Sequence, residues 1–181
     1  MMLTTERLII RQWKDTDAKE LYTLAKDPQV GPRAEWPPHR SIQESLTIIR
    51  EILSPAEALA IEAKNKGLIG SIGLKQGDQT TLNLPFGQAE VGYWIGQAYW
   101  GQGYAPEALS AIMEWAFSTL ELQSLWCGYY DGNIQSKIVQ EKCGFQYQFS
   151  KEEVYVGLLN EYRTEHFTSI DHLRYEKRKK N

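Results

Sequence analysis

The segment Gly92-Tyr-Trp-Ile-Gly-Gln-Ala-Tyr-Trp-Gly101-Gln-Gly103-Tyr104-Ala105-Pro106 decides how this sequence folds. It begins inside a predicted strand, 86–95, and continues into a loop whose glycines lie two residues apart. The loop opens directly into a helix predicted over 104–119, because apolar residues recur there at i, i+3, i+4 and i+7. The first amides of a helix have no acceptor within it, and glycines let an anion approach them. The segment therefore predicts a phosphate site, although Gly-x-Gly alone also suits a tight strand-to-helix turn.

Two familiar phosphate-binding loops do not match this segment. A Walker A loop ends in Gly-Lys-Ser/Thr, whereas Gly103 is followed by Tyr104 and Ala105, which disfavours ATP. A dinucleotide fingerprint needs a third glycine at the position of Pro106 and an acidic residue about 20 residues further on. Asp131 lies too far along the chain, so an NAD-dependent oxidoreductase is the weaker alternative.

Signals on both sides of the segment predict an α/β fold in one domain, 1–181. A helix ending near Asp27-Pro28 follows caps at Asp15 and Thr16, and a second helix begins after Ser41, with Glu44 completing a capping box. A further helix covers 134–142 and is closed by a C-terminal glycine. The helix over 104–119 joins two strands, which favours a partly parallel sheet. The predicted strands are 7–13, 56–63, 68–76, 86–95, 122–130, 146–156 and 162–173, and the second, third and fourth of them suit an antiparallel meander.

Composition places the chain among ordinary globular proteins. Of its 181 residues, 42% are hydrophobic and 24% are charged, and no run of 18 apolar residues could cross a membrane. The net charge of −3 has the wrong sign for a surface that grips nucleic acid. The opening segment MMLTTERLIIRQW lacks the regions of a secretory signal. We therefore expect a cytoplasmic protein without membrane or nucleic-acid partners, and we interpret the basic stretch 174–180 as a solvated terminus.

Isolated reactive side chains predict no site of their own. Neither Cys127 nor Cys143 has a second cysteine at metal-ligand spacing, so both are interpreted as buried, reduced thiols. His39, His166 and His172 are too scattered in sequence to suggest a triad, and we interpret each as a surface or packing residue. No metal is expected.

The motifs taken together resemble a known family. The ordered series Trp100-Gly-Gln-Gly-Tyr-Ala105, Asn133-x-x-Ser136 and Glu141-Lys-Cys-Gly144-Phe145, at these spacings, closely resembles the Gcn5-related N-acetyltransferases (GNAT). The opening Thr5-Glu-Arg-Leu-Ile-Ile-Arg11 with Asp15-x-Asp17-Ala18 is similar to the ribosomal-protein alanine N-acetyltransferase branch, called the Rim-type branch. The resemblance covers almost the whole chain, which makes it more specific than any single motif.

The resemblance implies both a fold and a cosubstrate. The fold is a mixed, mostly antiparallel sheet with a splayed central strand pair and flanking helices, and the cosubstrate is acetyl-CoA. Loop amides would bind the CoA pyrophosphate, and the end of the strand before the loop would pair with the pantetheine arm. The implied cofactor-binding residues are Tyr93, Trp94, Ile95, Trp100, Gly101, Gln102, Gly103, Tyr104, Ala105, Asn133 and Ser136, of which Asn133 also suits a helix N-cap.

The sequence departs from the family pattern at the general acid. The tyrosine that many members use would fall at Gln140, and the resemblance to the Rim-type branch makes Ser136 the substitute. Glu90 is the candidate general base, with an exposed strand-end carboxylate as the alternative interpretation. The loop between the first two helices is implied to form one wall of the acceptor site. Its candidate substrate contacts are Arg33, Trp36 and His39.

The sequence therefore predicts an N-acetyltransferase that moves acetyl from acetyl-CoA to a primary amine by direct attack in a ternary complex. The alternatives are a non-catalytic CoA-binding module and, more weakly, the oxidoreductase. At pH 7 an α-amine costs about 1.4 kcal/mol to deprotonate and a lysine about 4.6 kcal/mol, which favours a protein N-terminus over a lysine. Small-molecule amines stay open as acceptors, as does the oligomeric state, a homodimer included.

Overall fold

The strands of the computed structural model, which describes residues 1–56, 58–80 and 82–180, form one mixed sheet. The strands are β1 Met2–Thr4, β2 Leu8–Gln12, β3 Leu59–Ala63, β4 Gly67–Lys75, β5 Gln88–Ile95, β6 Ser124–Tyr130, β7 Gln146–Val156 and β8 Glu161–Asp171. The α-helices are α1 Ala18–Ala25, α2 Ile42–Ile48, α3 Tyr104–Ser118, α4 Ile134–Cys143 and α5 His172–Lys179. The hydrogen-bonded strand order is β1-β2-β3-β4-β5-β6-β8-β7.

The predicted splayed strand pair corresponds to the parallel pair β5–β6. Gln88–Glu90 of β5 pair with Ser124–Trp126 of β6, and α3 forms the predicted crossover between these strands. Both strands run on beyond this short parallel register, whereas β6 pairs with β8 along its whole length. The other registered pairs are antiparallel. The predicted mixed, mostly antiparallel α/β fold is therefore confirmed.

The described chain falls into two compact units, each with its own packed interior. The first unit comprises the described residues of Met1–Gly73 and Tyr93–Ala111. Its interior includes a cluster in which side chains of α1, of the helical turn after α2 and of the neighbouring strands and loops meet: Trp13, Ala18, Leu21, Ala25, Ile49, Ala60 and Leu68. The second unit comprises the described residues of Leu74–Gly92 and Ile112–Asn181. Its largest fully buried side chains are Ile112, Phe117, Leu125 and Phe167.

The C-terminal end differs from the prediction of a solvated basic terminus. The last strand ends at Asp171, and the chain turns into α5, whose first turn is capped by the Asp171 carboxylate accepting from the Arg174 amide at 2.7 Å. Lys179 Nζ lies 2.7 Å from Glu114 Oε2, and the buried Tyr175 donates its hydroxyl to the same carboxylate. The basic residues 177–180 are exposed, as predicted. The helix was not predicted, because its contacts with Glu114 on α3 cannot be read from the run of charges.

Helix α5 also completes the C-terminus of α4. Arg174 Nε donates to the Gly144 carbonyl at 2.9 Å, and Arg178 donates to the Lys142 carbonyl at 2.7 Å. Cations suit this position because the last carbonyls of a helix lack partners within it and carry partial negative charge. Gly144 has φ +94° and lies so close to Arg178 that a Cβ would come 2.4 Å from its Cδ. A glycine is therefore needed here for both conformation and space.

Smaller differences concern element ends. The three-residue edge strand β1 was not predicted, and β3 begins at Leu59 instead of position 56. Ser41 caps α2 as predicted and accepts from the Glu44 amide at 3.0 Å. The Glu44 carboxylate, however, accepts from the Arg40 backbone, so the predicted reciprocal half of the capping box is replaced. Among the helices of the described ranges, none has the length and apolar character needed to cross a membrane.

Candidate active site

The loop before α3 has the conformation that an anion site needs. Gly101 and Gly103 have φ +72° and +80°, values that L-residues rarely adopt. The first backbone bond of the helical type runs from the Glu107 amide to the Gly103 carbonyl, at 3.3 Å. The amides that precede Glu107 at the start of α3 therefore have no acceptor within the helix. An anion placed there would meet both these amides and the positive end of the helix dipole.

Basic residues from distant parts of the sequence hold this loop. Arg7 Nη1 donates to the Gln102 carbonyl at 2.9 Å, and Lys66 Nζ donates to Gln102 Oε1 at 3.0 Å. The side-chain Nε2 of Gln102 donates in turn to the Ala98 carbonyl at 2.9 Å. Both the backbone carbonyl and the side chain of Gln102 are therefore held by hydrogen bonds.

An ion pair sets the position of Arg7. Its guanidinium lies 2.6 Å from Glu107 Oε2, and the Thr5 hydroxyl donates to the same carboxylate. Burial raises the pKa of Glu107, but the bonds from Thr5 and Arg7 outweigh it, so the pKa lies below the usual value. The Tyr104 ring has Arg7 at 4.6 Å on its face and Lys66 at 5.4 Å. Sequence reasoning missed Arg7 and Lys66 as site residues because each depends on contacts across the fold.

The end of β5 lies so close to Gly70 of β4 that no side chain fits at that position. A Cβ on Gly70 would lie 2.2 Å from the Trp94 carbonyl, and the Gly96 amide donates to the Ile69 carbonyl at 2.8 Å. Trp100 Nε1 donates to the Ile95 carbonyl at 2.6 Å, which ties the loop to the strand that precedes it. The implied pantetheine strand and the implied phosphate loop are thus hydrogen-bonded directly to each other.

The predicted acceptor residues lie beside the predicted cofactor residues of the same unit. The Trp36 ring makes an edge contact with Trp94, with centroids 5.5 Å apart, and the Arg33 guanidinium lies 5.0 Å from the Trp100 ring. His39 is only 8% exposed and hydrogen-bonds Ser45 Oγ at 2.8 Å. Burial lowers its pKa, so His39 is neutral at pH 7. This environment favours a packing role for His39, and its contact with substrate stays a prediction.

Glu90 is a buried residue inside β5, 9% exposed and opposite Trp126 in the register. The alternative of an exposed strand-end carboxylate is therefore wrong. Burial raises the pKa of the Cys127 thiol well above its usual value, and the charges of Glu90 and Glu165 add to this effect. Glu165, 5% exposed, lies on β8 and was not predicted. A Cβ on Gly128 would lie 2.4 Å from the Glu165 carboxylate, so the absence of a side chain at Gly128 leaves the space that Glu165 occupies.

Helix α4 presents the remaining predicted residues. Asn133 Oδ1 accepts from the Ser136 amide at 3.3 Å, so the predicted N-cap is confirmed. Ser136 is half-buried, and its hydroxyl oxygen accepts from Gln140 Nε2 at 3.1 Å. Gln140, at the position of the family tyrosine, is fully buried. The role of Ser136 as a proton donor stays a prediction.

Two histidines have partners that their separation in sequence concealed. His166 Nδ1 lies 2.6 Å from Ser150 Oγ, and its Nε2 lies 3.1 Å from Asp131 Oδ1. The His172 ring stacks on Phe117 at 5.3 Å, which confirms a packing role. Cys127 and Cys143 are buried thiols, as predicted. Over the described residues, no group of three or more His, Cys, Asp or Glu side chains is arranged to hold a metal ion.

Comparisons with known proteins match the chain over most of its length. A family model described as an acetyltransferase (GNAT) domain matches residues 7–146. The uncharacterized N-acetyltransferase p20 of Bacillus licheniformis is 30% identical over 166 residues, which are 88% of this chain and 86% of p20. YdaF of Bacillus subtilis, provisionally named a ribosomal N-acetyltransferase, is 30% identical over 149 residues, covering 77% of this chain and 78% of YdaF.

A solved structure shows the same fold. The GNAT-family acetyltransferase from Bacillus anthracis superposes with a TM-score of 0.81, covering 94% of this chain and 98% of that chain. The identity between the two sequences is 20%, so this likeness concerns the fold alone.

Proposed function

We propose that this chain, which belongs to the GNAT acetyltransferase family and is an acetyl-CoA-dependent N-acetyltransferase, acetylates the α-amine of a protein or peptide N-terminus. Acetyl passes directly from the thioester to the amine in a ternary complex. The amine nitrogen forms the new bond to the carbonyl carbon, the bond from that carbon to sulfur breaks, and CoA leaves as a thiolate. The protein must align the amine, accept its proton and stabilise the leaving sulfur.

The glycine loop before α3 is the observation that carries this proposal. We assign the CoA pyrophosphate to the amides of Gln102, Gly103, Tyr104 and Ala105. Lys66 supports the assignment, because it adds positive charge beside the same loop, and Arg7, which is paired with Glu107, holds the Gln102 carbonyl in place. Within the rest of the assigned CoA set, Tyr93–Ile95 supply strand backbone for the pantetheine arm, and Trp100 and Gly101 flank the phosphates.

The proton steps are assigned to residues of the second unit. Glu90, a buried carboxylate within β5, accepts the amine proton, directly or through a water. Ser136 donates a hydrogen bond to the departing sulfur. A serine hydroxyl is a far weaker acid than a thiol, so it stabilises the thiolate without losing its own proton. Asn133 fixes the helix turn that carries Ser136.

An N-terminal α-amine suits this equipment better than a lysine. Because its pKa is lower, deprotonating an α-amine at pH 7 costs about 3.2 kcal/mol less than deprotonating a lysine. The 30% identity to YdaF, which is provisionally named a ribosomal N-acetyltransferase, supports a protein as the acceptor. Arg33 and Trp36 are the proposed contacts with that acceptor, since both lie half-buried beside residues assigned to the cosubstrate. His39 joins them through its contact with the Trp36 ring.

A matched set of amines tests the proposal. Thiol release from acetyl-CoA is measured with a peptide that has a free N-terminus, with the same peptide blocked at that end but carrying a lysine, and with a polyamine. We expect turnover with the first and little with the others. Preference for the blocked peptide or the polyamine would refute the α-amine as acceptor. No release with any amine would refute the transfer itself.

A further inference from the structure

The side-chain amide of Gln140 is fully buried, and each of its polar atoms has a partner. Nε2 lies 3.0 Å from the Gly128 carbonyl, which can only accept, so the amide must present its N–H groups on this side. Its other N–H then points to Ser136 Oγ at 3.1 Å. On the opposite side, Oε1 accepts from Thr168 Oγ1 at 2.7 Å. The orientation of the amide is therefore fixed by strands β6 and β8.

This arrangement fixes the direction of the hydrogen bond to Ser136. Gln140 is the donor, so Ser136 Oγ is the acceptor and its own proton points away from Gln140. An oxygen that accepts a hydrogen bond also becomes a better donor, because successive bonds polarise one another. The Asn133 cap holds the backbone of the same turn through the Ser136 amide. Ser136 thus has both its backbone and its hydroxyl oxygen held.

We propose that Gln140 is a positioning residue for acetyl transfer, which orients the Ser136 hydroxyl toward the leaving sulfur. The inference rests on the proposed role of Ser136. It gives a function to the position where many relatives carry the acidic tyrosine: the amide supplies no proton itself but sets the direction from which a neighbouring hydroxyl donates.

A purely structural role for Gln140 predicts part of the same behaviour. The amide links α4 to β6 and β8, so its loss removes the hydrogen bonds to the Gly128 carbonyl and from the Thr168 hydroxyl and lowers stability in either case. The two roles differ in how turnover depends on Ser136. A positioning residue matters only while the hydroxyl is present, whereas a structural residue matters with or without it.

A double-mutant cycle separates the two roles. Gln140→Met keeps an unbranched side chain of similar length without a donor, and Gln140→Leu also removes the donor should the methionine variant fold poorly. Each is combined with Ser136→Ala, and kcat, the KM for acetyl-CoA and Tm are measured. Thr168→Val serves as the matched control, because it removes the bond to Oε1 and leaves both bonds of Nε2 in place.

We expect Ser136→Ala to lower kcat by about 100-fold and Gln140→Met to lower it by about tenfold or more. The KM for acetyl-CoA should change little in Gln140→Met. In the Ser136→Ala background, the exchange at Gln140 should lower Tm again but leave kcat within about twofold. Thr168→Val should lower Tm with most of kcat retained. Equal loss of kcat at Gln140 in both backgrounds would overturn the positioning role and leave that of Ser136 intact. Wild-type kcat in Ser136→Ala would overturn the roles of both Ser136 and Gln140. Acetyl transfer itself would still stand in that case, because thiol release measures it directly.

Discussion

Replacing Gly103 by alanine tests whether the loop before α3 binds the phosphates of CoA. A φ of +80° costs an L-residue about 1–2 kcal/mol, which lowers Tm by about 2–8 °C in a chain of this size. The new Cβ would lie 3.3 Å from Arg7 Nη2, so the guanidinium must shift from its place beside the Gln102 carbonyl. We therefore expect a loss of CoA affinity in addition to the loss of stability.

The two losses are separated by thermal unfolding with and without CoA. At about 100 times Kd, CoA should stabilise the folded wild-type protein by about 2.7 kcal/mol. A tenfold weaker Kd in Gly103→Ala reduces this to about 1.4 kcal/mol at the same concentration, which halves the rise in Tm. Gly77→Ala is the matched control, because Gly77 has φ +56° with no atom within 4 Å of a new Cβ. It should lower Tm but keep the full CoA shift. A full shift in Gly103→Ala as well would refute phosphate binding by this loop.

Three further changes test other parts of the structure. Glu90→Gln should lower kcat by about 10²–10⁴-fold at pH 7 with CoA affinity unchanged, and near-wild-type kcat at every pH would make Glu90 a structural residue. Bonds from Lys179 and Tyr175 lower the pKa of Glu114 to about 2, so their stabilisation is present above about pH 4.5 and is lost as the pH falls toward 2. The Tm difference between wild type and Glu114→Gln should shrink over that range, and a constant difference would contradict this origin. Cys127, whose pKa is raised by burial, should resist alkylation at pH 8 in the folded protein and react after unfolding, as mass spectrometry can show.

The elements that sequence predicted best are those whose pattern is local. Helix α3 follows from apolar periodicity, with Pro106 in its first turn, and the Asn133 cap of α4 follows from residue type and position. The loop before α3 was predicted for the same reason, since positions with positive φ are usually occupied by glycine. Strand β7 matches its predicted range because both of its ends lie at local breaks in the pattern.

The features that sequence missed depend on partners far along the chain. Helix α5 carries mostly charged residues, and its stability depends on Tyr175 and Lys179 reaching Glu114 on another helix. Arg7 lies beside a loop about a hundred residues later, and the buried carboxylate of Glu165 depends on the space above Gly128. No periodicity records such contacts, because each is set by tertiary packing and not by the neighbours in sequence.

The contribution to catalysis that is required of Glu90 as a general base depends on the class of amine. The pH dependence of Glu90→Gln therefore also tests the identity of the acceptor. A general base that contributes 10²–10⁴-fold lowers the barrier by about 2.7–5.4 kcal/mol. That range covers the cost of about 1.4 kcal/mol for an α-amine at pH 7 throughout, but covers the cost of about 4.6 kcal/mol for a lysine only near its upper end. Without Glu90, alkaline solution must supply the neutral amine instead. Turnover of Glu90→Gln should therefore approach that of the wild type above about pH 8 for an α-amine, and only above about pH 10.4 for a lysine. A recovery confined to the higher range, with the preferred peptide as acceptor, would contradict N-terminal acetylation even if Glu90 is the base.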